Sequence, residues 1–177
     1  TNKVDKYLSI FGGKLTDCIN VGDEVAGLVK ELGVMLPYAD FKWYGEPDDT
    51  VRDEFFHRAR LMDFDGLTPA TSSEPLTKRF WRRYGRNAIN MLEKIRENPE
   101  KAELLIETSE YLRVEVEHAA EREMITKLED FLRRRSKISL VVRQEDILSA
   151  PGLKEACEIL FGDEADAKLQ EYIDTLS

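Results

Sequence analysis

The sequence predicts a mainly α fold: a helical bundle around one long central helix, preceded by a strand–turn–helix unit. The main evidence is the stretch 111–137, where apolar residues recur about every fourth position without an interrupting glycine or proline. These apolar residues are Leu112, Val116, Ala119, Ala120, Met124, Ile125, Leu128, Phe131 and Leu132. At about 1.5 Å per residue, one continuous helix here would span roughly 40 Å and form the axis of a small domain.

The composition fits a soluble, helix-rich protein, with 42% hydrophobic and 34% charged residues in 177. The formal net charge of -9 argues against general binding to nucleic acids. Cys18 and Cys157 lie on the apolar sides of predicted helices, so we expect both to be small core residues. The sequence has no signal peptide and no apolar run long enough to span a bilayer. Because it begins at Thr1 without a methionine, we expect a piece of a longer protein.

The N-terminal part, residues 1–33, is predicted to be a strand, a glycine turn and a helix. Residues 6–11 form the strand, Gly12 and Gly13 end it, Thr16 caps the helix, and Gly33 closes it. A single strand has no partner for its hydrogen bonds, so we expect that partner upstream of the chain.

Residues 34–75 hold four of the six prolines and are predicted to be a connector with a short helix at 50–62. The connector is long for a compact domain, so we expect it to pack on a neighbour. Residues 76–177 are predicted to be a helical C-terminal domain. Besides the long helix, its expected helices are at 76–84, from 87 to before Pro99, at 100–106, at 151–161 and from 163 onward. Residues 138–142 are a buried segment or the lead-in to a short helix.

Two Glu-x-x-His pairs, Glu54 with His57 and Glu115 with His118, have a spacing that aligns a carboxylate and an imidazole on one helix face. Di-iron helical bundles use this spacing. Glutamate is common in this chain, however, and the first pair lies in the connector. The sequence therefore favours surface or half-buried histidines, and we predict no metal site.

The segment 78–86 mixes basic and aromatic residues ahead of a turn and a further helix. This pattern is compatible with a helix-turn-helix that contacts a phosphate backbone. It is equally typical of an amphipathic helix whose aromatic residues face the core and whose basic residues face water. The acidic net charge, and the lack of a second basic patch on the next helix, favour the amphipathic helix.

Arg133, Arg134, Arg135 and Lys137 form a basic cluster at the end of the predicted long helix. Cations at a helix C-terminus complement its dipole, which alone accounts for them. Docking onto another domain is the functional alternative.

The turn of Gly12, Gly13, Lys14, Leu15 and Thr16 has the strongest chemical signal. Backbone amides at a helix N-terminus, with a lysine beside them, suit an anionic group. The chain contains no G-x-G-x-x-G and no P-loop motif, so we do not expect it to bind a nucleotide by itself in the usual way.

Two stretches together resemble one family. Residues 8–16, L-S-I-F-G-G-K-L-T, resemble the late strand–turn–helix of FAD-dependent glycerol-3-phosphate dehydrogenases and alpha-glycerophosphate oxidases, which typically reads G-G-K-L/W-T-T-Y-R. The segments 83–85, 111–116, 122–123 and 128–136 resemble the helical C-terminal domain of the same enzymes. One departure is Ile19, which stands where the family commonly has an arginine near the substrate and so leaves the substrate open.

The resemblance implies the C-terminal part of a flavoprotein that oxidises sn-glycerol 3-phosphate to dihydroxyacetone phosphate with FAD and passes the electrons to quinone or oxygen. Residues 1–33 would be a remnant of the FAD-binding domain, whose first half lies upstream. Residues implied to contact FAD are Gly12, Gly13, Lys14, Leu15 and Thr16. Lys14 would also bind the substrate, whereas no catalytic residue lies in this chain.

By the same resemblance, residues 76–177 would be a non-catalytic cap, and the chain alone would be inactive. A cytoplasmic location is implied, with peripheral membrane contact of the full-length protein and a homodimer left open. Two other classes stay open, a helical interaction module of a non-enzyme and a helical DNA-binding protein. A dinucleotide fingerprint upstream would exclude the first class, and the absence of salt-dependent binding to a DNA duplex would exclude the second.

Overall fold

The computed structural model describes residues 2–4, 7–11, 14–38 and 47–176. The chain divides into two compact units, Thr1–Glu46 and Pro47–Ser177. The predicted mainly helical fold is confirmed. No helix in the described ranges is both long enough and apolar enough to cross a membrane.

The first unit contains a β-hairpin followed by a helix. Strands β1 (Asn2–Val4) and β2 (Tyr7–Ser9) pair antiparallel. One ladder partner of the predicted strand therefore lies inside this chain, and the expectation of a further partner upstream stays a prediction. A 3₁₀ turn (Leu15–Asp17) leads into α1 (Cys18–Glu31), and Gly33 follows with φ of +84°.

Helix α1 has no buried residue within the described part of its unit. Its apolar face is only half-buried and consists of Val21, Val25, Leu28, Val29 and Leu32. Cys18 is exposed, so the prediction that it lies in a core was wrong; it begins a helix that buries none of its residues. Cys157 is fully buried as predicted, and burial raises the pKa of its thiol to about 11.

The second unit is built of helices joined by short turns. The helices are α2 (Asp49–Leu61), α3 (Leu76–Tyr84), α4 (Asn87–Glu97), α5 (Arg113–Arg122), a π-helix (Asp130–Arg135), α6 (Ile138–Val141), α7 (Gln144–Ser149), α8 (Gly152–Phe161) and α9 (Ala165–Asp174). 3₁₀ turns are Phe64–Leu67, Pro99–Ala102 and Gly162–Glu164. The helical turn or two predicted at 100–106 is confirmed only in its first part, by the 3₁₀ turn at Pro99–Ala102; after it, Leu104 pairs in an isolated β-bridge with Leu112.

Two hydrophobic clusters form the core of the second unit. The first joins α2, α3 and α4 and includes Phe55, Phe80 and Leu92. The second joins α5, the π-helix, α8 and α9 and includes Leu132 and Cys157. Because Phe55 of α2 is fully buried in the first cluster, the helix of the predicted connector packs within the second unit. The predicted domain boundaries at residues 33 and 75 stay a prediction.

Helix α5 belongs to both clusters. Val114 packs in the first, and Val116 and Ala119 pack in the second. All three side chains are almost completely buried. The first part of the stretch 111–137, helix α5, therefore lies at the centre of the second unit, as predicted. The stretch as a whole does not form the single helix that was predicted.

The predicted single helix over 111–137 is wrong, because it is two helical segments. Helix α5 ends at Arg122, and Met124 has a positive φ of +47° and is 88% exposed. The carboxylate of Asp130 accepts hydrogen bonds from the amides of Thr126 at 3.1 Å and Lys127 at 2.9 Å. Asp130 thus satisfies the amides of a new helix start, and these local bonds replace the continuation of α5.

Helix α8 lies very close to the segment that precedes α5. A Cβ atom at Gly152 would fall 2.0 Å from the carbonyl oxygen of Leu105. This approach requires glycine, because no side-chain atom fits in that space.

Candidate functional site

The predicted cofactor turn lies at the surface of the first unit. Gly12 and Gly13 fall outside the described residues. Lys14, Leu15 and Thr16 are all exposed, Leu15 to 90%. Three exposed residues can contribute one edge of a flavin site but cannot enclose a flavin.

The local geometry of this turn leaves its first amides accessible. Asp17 donates its N–H to the carbonyl of Lys14 at 2.9 Å, which closes the 3₁₀ turn before α1. In the described residues, neither Lys14 nor Asp17 caps this helix start with its side chain. The amides at the helix start therefore stay available to an external acceptor. The prediction that this turn binds an anionic group requires such free amides.

The second unit contains a buried ionic network that sequence reasoning missed. The side chain of Arg79 on α3 is fully buried. Its Nη2 donates to Oε2 of Glu115, and its Nη1 donates to the backbone carbonyl of Glu110. The Glu110 carboxylate also lies 3.4 Å from Nη1 of Arg79. The arginine is thus held by two acidic residues from the start of α5 and the loop before it.

Glu115 is the acceptor at the centre of the network. It accepts hydrogen bonds from the Tyr84 hydroxyl at 2.8 Å and from the Leu112 amide at 2.8 Å, besides the bond from Arg79. Burial raises the pKa of Glu115, and the charge of Arg79 opposes that shift. Burial likewise raises the pKa of Tyr84, so its hydroxyl stays a hydrogen-bond donor.

Arg83 extends the network toward the surface. Its Nη2 donates to the Glu110 carboxylate at 2.5 Å, and its guanidinium lies 4.7 Å from the centre of the Tyr111 ring. Its other terminal nitrogen, Nη1, is buried without a hydrogen-bond partner among the described residues and lies 3.9 Å from Glu115. This unsatisfied donor borders a cleft.

The cleft has a volume of about 300 Å³. It is lined by Arg82, Arg83, Tyr84, Tyr111, Glu115, Ala119, Glu123, Phe131, Arg134, Arg135 and Lys137. The structure thus brings three residues of the basic cluster, Arg134, Arg135 and Lys137, together with Arg82 and Arg83 of α3. Neither segment alone shows that they meet.

The helix-turn-helix interpretation of 78–86 loses support from this packing. Phe80 is fully buried and Arg82 is exposed, as an amphipathic helix requires. Arg79 is buried, however, so the expectation that the basic residues face water was wrong for it. A signal did exist: residue 79 has helical spacing from the apolar Leu76 and so lies on the core face. Its partner Glu115 could not be inferred.

Both Glu-x-x-His pairs have their carboxylates bound by arginine. Glu115 binds Arg79, and Glu54 binds Arg58 at 2.5 Å. His118 packs its ring edge-on against Tyr84, with ring centres 5.1 Å apart. In the described ranges, no group of three or more potential ligand residues could hold a metal ion.

Comparison with protein families identifies the domain. Residues 47–162 match the family described as the C-terminal domain of alpha-glycerophosphate oxidase. This match covers more than half of the chain, so the chain belongs to that family, which is part of the FAD-dependent oxidoreductases. The resemblance drawn from the motifs of the helical half is thereby confirmed. Searches of curated proteins and of solved structures found no match.

Proposed function

We propose that this chain is the C-terminal part of an FAD-dependent enzyme that oxidises sn-glycerol 3-phosphate to dihydroxyacetone phosphate. The observation that carries the proposal is the family match over residues 47–162. The motif at residues 8–16, which lies outside the matched range, supports it independently. Quinone or oxygen would take the electrons.

Within such an enzyme, the second unit serves as a cap that does no chemistry. Its buried ionisable side chains already bind one another, since Glu115 accepts from both Arg79 and Tyr84. A catalytic acid or base needs a free position facing the substrate. The network instead fixes α3 to α5, which supports a reaction site in another domain of the proposed enzyme.

Lys14 and the turn around it would meet the cofactor and the substrate phosphate. When bound, FAD supplies the acceptor for a hydride from the substrate. The amides of Leu15 and Thr16 would donate to the negative charge that accumulates there, and Gly12 and Gly13 would let the backbone approach. The exposed ammonium of Lys14 would bind the phosphate.

The state of α1 supports a larger catalytic domain around the first unit. A helix whose apolar face is half-buried throughout is typical of one that packs against a further layer of structure. In the proposed enzyme, that layer is the remainder of the FAD-binding domain.

The proposal is tested by comparing this chain with the intact enzyme. We expect the chain alone to purify without flavin absorbance and to be inactive on glycerol 3-phosphate, and the intact enzyme to be yellow and active. Assays with a quinone analogue and with oxygen would identify the electron acceptor. A flavin-loaded preparation of this chain alone, or an intact protein inactive on glycerol 3-phosphate, would overturn the proposal.

Ile19 requires a second substrate arm in this test. Because Ile19 replaces the arginine common in the family, the intact enzyme should be assayed with other small polyol phosphates in parallel. A kcat/KM highest for one of these would correct the substrate and keep the flavin-dependent reaction.

A further inference from the structure

We propose that the cleft between α3, α5 and the π-helix is an anion-binding site for a phosphate dianion, free or carried by a small phosphate monoester. The site consists of Arg83 at its floor and of Arg135 and Lys137 at its rim. This inference rests on the second unit alone and does not depend on the proposed function.

The lining of the cleft differs in charge from the rest of the chain. Five cationic side chains and two carboxylates line it, whereas the whole chain has a net charge of -9. The five cations are Arg82, Arg83, Arg134, Arg135 and Lys137. A volume of about 300 Å³ suits a small ligand rather than a polymer. A positive pocket on an acidic protein concentrates small anions.

Two of the five cations are free to act on a ligand. Arg82 pairs with Glu74, Arg134 pairs with Asp130, and Arg83 pairs with Glu110. By contrast, no described carboxylate forms an ion pair with either of the remaining two. These are the exposed Arg135 and Lys137.

The floor of the cleft contains a donor that lacks an acceptor. Nη1 of Arg83 is buried and has no hydrogen-bond partner in the described part of the chain. A buried donor without an acceptor is destabilising, and an anionic oxygen would satisfy it. The neighbouring Tyr111 hydroxyl is protonated at neutral pH, since burial raises its pKa to about 12 despite the charge of Arg83. The floor thus presents two donors, Nη1 of Arg83 and the Tyr111 hydroxyl, beside the Glu115 carboxylate.

Two carboxylates oppose an anion here, and they differ in effect. Glu115 is neutralised from behind by the fully buried Arg79. Glu123 has no ion pair among the described residues and lies in the lining. Its charge therefore weakens the site. The proposal therefore predicts a variant with increased affinity, because removing the charge of Glu123 should tighten anion binding.

Phosphate is the ligand class that these groups fit best. A guanidinium presents donors in a planar fork that matches phosphate oxygens, and an ammonium adds a compact charge. Arg83, Arg135 and Lys137 line one cleft, and a phosphate dianion has an oxygen for each of them. A carboxylate has only two oxygens and would leave one cation without a partner.

The test measures binding of inorganic phosphate to the 177-residue chain by titration calorimetry at constant ionic strength, set with chloride. We expect saturable binding to one site. The double variant Arg135→Gln/Lys137→Gln should lose about tenfold or more in affinity, since charge-assisted bonds are lost. Glu123→Gln should bind more tightly than the wild type.

Arg133→Gln is the matched control. Arg133 lies on the same π-helix and is 61% exposed, but it pairs with Glu129 and does not line the cleft. Its removal changes the net charge without touching the site, so affinity should change by less than about twofold. Circular dichroism checks that each variant folds. If the double variant is unfolded, Arg135→Gln and Glu123→Gln make the same comparison.

A second arm identifies the source of the phosphate. Vesicles of phosphatidic acid should retain the chain, and phosphatidylcholine vesicles should not, if the dianion belongs to a lipid headgroup. Saturable inorganic phosphate binding without vesicle retention assigns a free ligand. Lack of binding to both probes, or an equal loss of affinity in Arg133→Gln and the double variant, overturns the proposal.

Discussion

Arg79 and Glu115 lie 36 residues apart in sequence, yet they form an ion pair in which both side chains are completely shielded from solvent. The Glu115 charge depends on Arg79, and the Arg79 charge is stabilised by Glu115 and by the nearby Glu110 carboxylate. The pair also receives support from Tyr84 and the Leu112 amide, so most of its hydrogen-bonding capacity is used. This arrangement locks α3 onto α5.

The ion pair makes a prediction for stability. Arg79→Met leaves the Glu115 charge buried without compensation, so the free energy of unfolding should fall by about 3–5 kcal/mol. Adding Glu115→Gln removes that stranded charge, and the double variant should be more stable than the single Arg79→Met. Urea unfolding measures both. The exposed pair of Arg82 and Glu74 is the control, where Arg82→Gln should cost at most about 1 kcal/mol. Additive losses in the double variant would contradict a coupled pair.

Asp130 makes a prediction for pH dependence. Burial acts to raise the pKa of its carboxyl, but the bonds from Lys127 and Thr126 outweigh burial and lower it from 3.8 to about 2. A lowered folded-state pKa means stability that is present above the ordinary pKa and lost as pH falls through the folded value. The wild type should therefore lose stability relative to Asp130→Asn between about pH 4 and pH 2. A constant stability difference across that window, measured by urea unfolding, would contradict the assignment.

Gly152 makes a prediction for packing. Gly152→Ala places a Cβ against the Leu105 carbonyl, so the backbone of α8 must shift, at a cost of about 1–3 kcal/mol or more. The matched control is Gly22→Ala in α1, where nothing lies within 4 Å of the added atom. That change should stabilise α1 slightly, since alanine is the better helix former. Thermal unfolding compares the two variants, and equal behaviour would mean that the close approach is absent.

Leu128 and Met124 belong to the same apolar stripe in the sequence but differ in the structure. Leu128 is 1% exposed, so Leu128→Ala should cost about 2–5 kcal/mol through lost burial and a cavity. Met124→Ala, at an 88% exposed position, should stay within about 0.5 kcal/mol of the wild type. Glu121→Ala, which removes an exposed ion pair with Lys94, should cost no more than about 1 kcal/mol. Equal losses of unfolding free energy for Leu128→Ala and Met124→Ala in denaturant unfolding would support the single long helix predicted from the sequence.

Lys14 makes a prediction for kinetics in the intact enzyme and rests on the proposed function. If Lys14 binds the substrate phosphate equally in the ground and transition states, Lys14→Met should raise KM and leave kcat nearly unchanged. The loss of a charge-assisted bond should lower kcat/KM about ten- to hundredfold. Lys30→Met, a lysine near the other end of α1, is the control. A kcat/KM for Lys14→Met within about twofold of the wild type would remove Lys14 from the site.

Helix ends were predictable from the sequence wherever glycine determines them. Gly33 was expected to end a helix, and Gly85 and Gly162 directly follow the helices predicted at 76–84 and 151–161. Each of the three has a positive φ, which glycine adopts without a steric cost. The conformational preference of the glycine itself determines such helix ends, so they can be predicted from the residues next to them.

The break after α5 could not be predicted in the same way. Apolar spacing continues through it, and the break depends on the Asp130 side chain reaching back to Thr126. The burial of Arg79 depends on Glu115, far away in the chain. The spacing of apolar residues predicts which residues share a helix face. It does not predict which charged residue, distant in the sequence, will form an ion pair with a buried one.

Because α5 contributes to both hydrophobic clusters, the second unit behaves as one cooperative body rather than as two modules. Separating the first cluster from α5 would expose Val114, and separating the second would expose Val116 and Ala119. Either opening also breaks contacts of the helix that carries Glu115. A truncation that keeps only one cluster therefore exposes the apolar face of α5 that packs in the other cluster. Such fragments should aggregate instead of folding independently, and the amides of α5 should be the last to exchange with solvent deuterium.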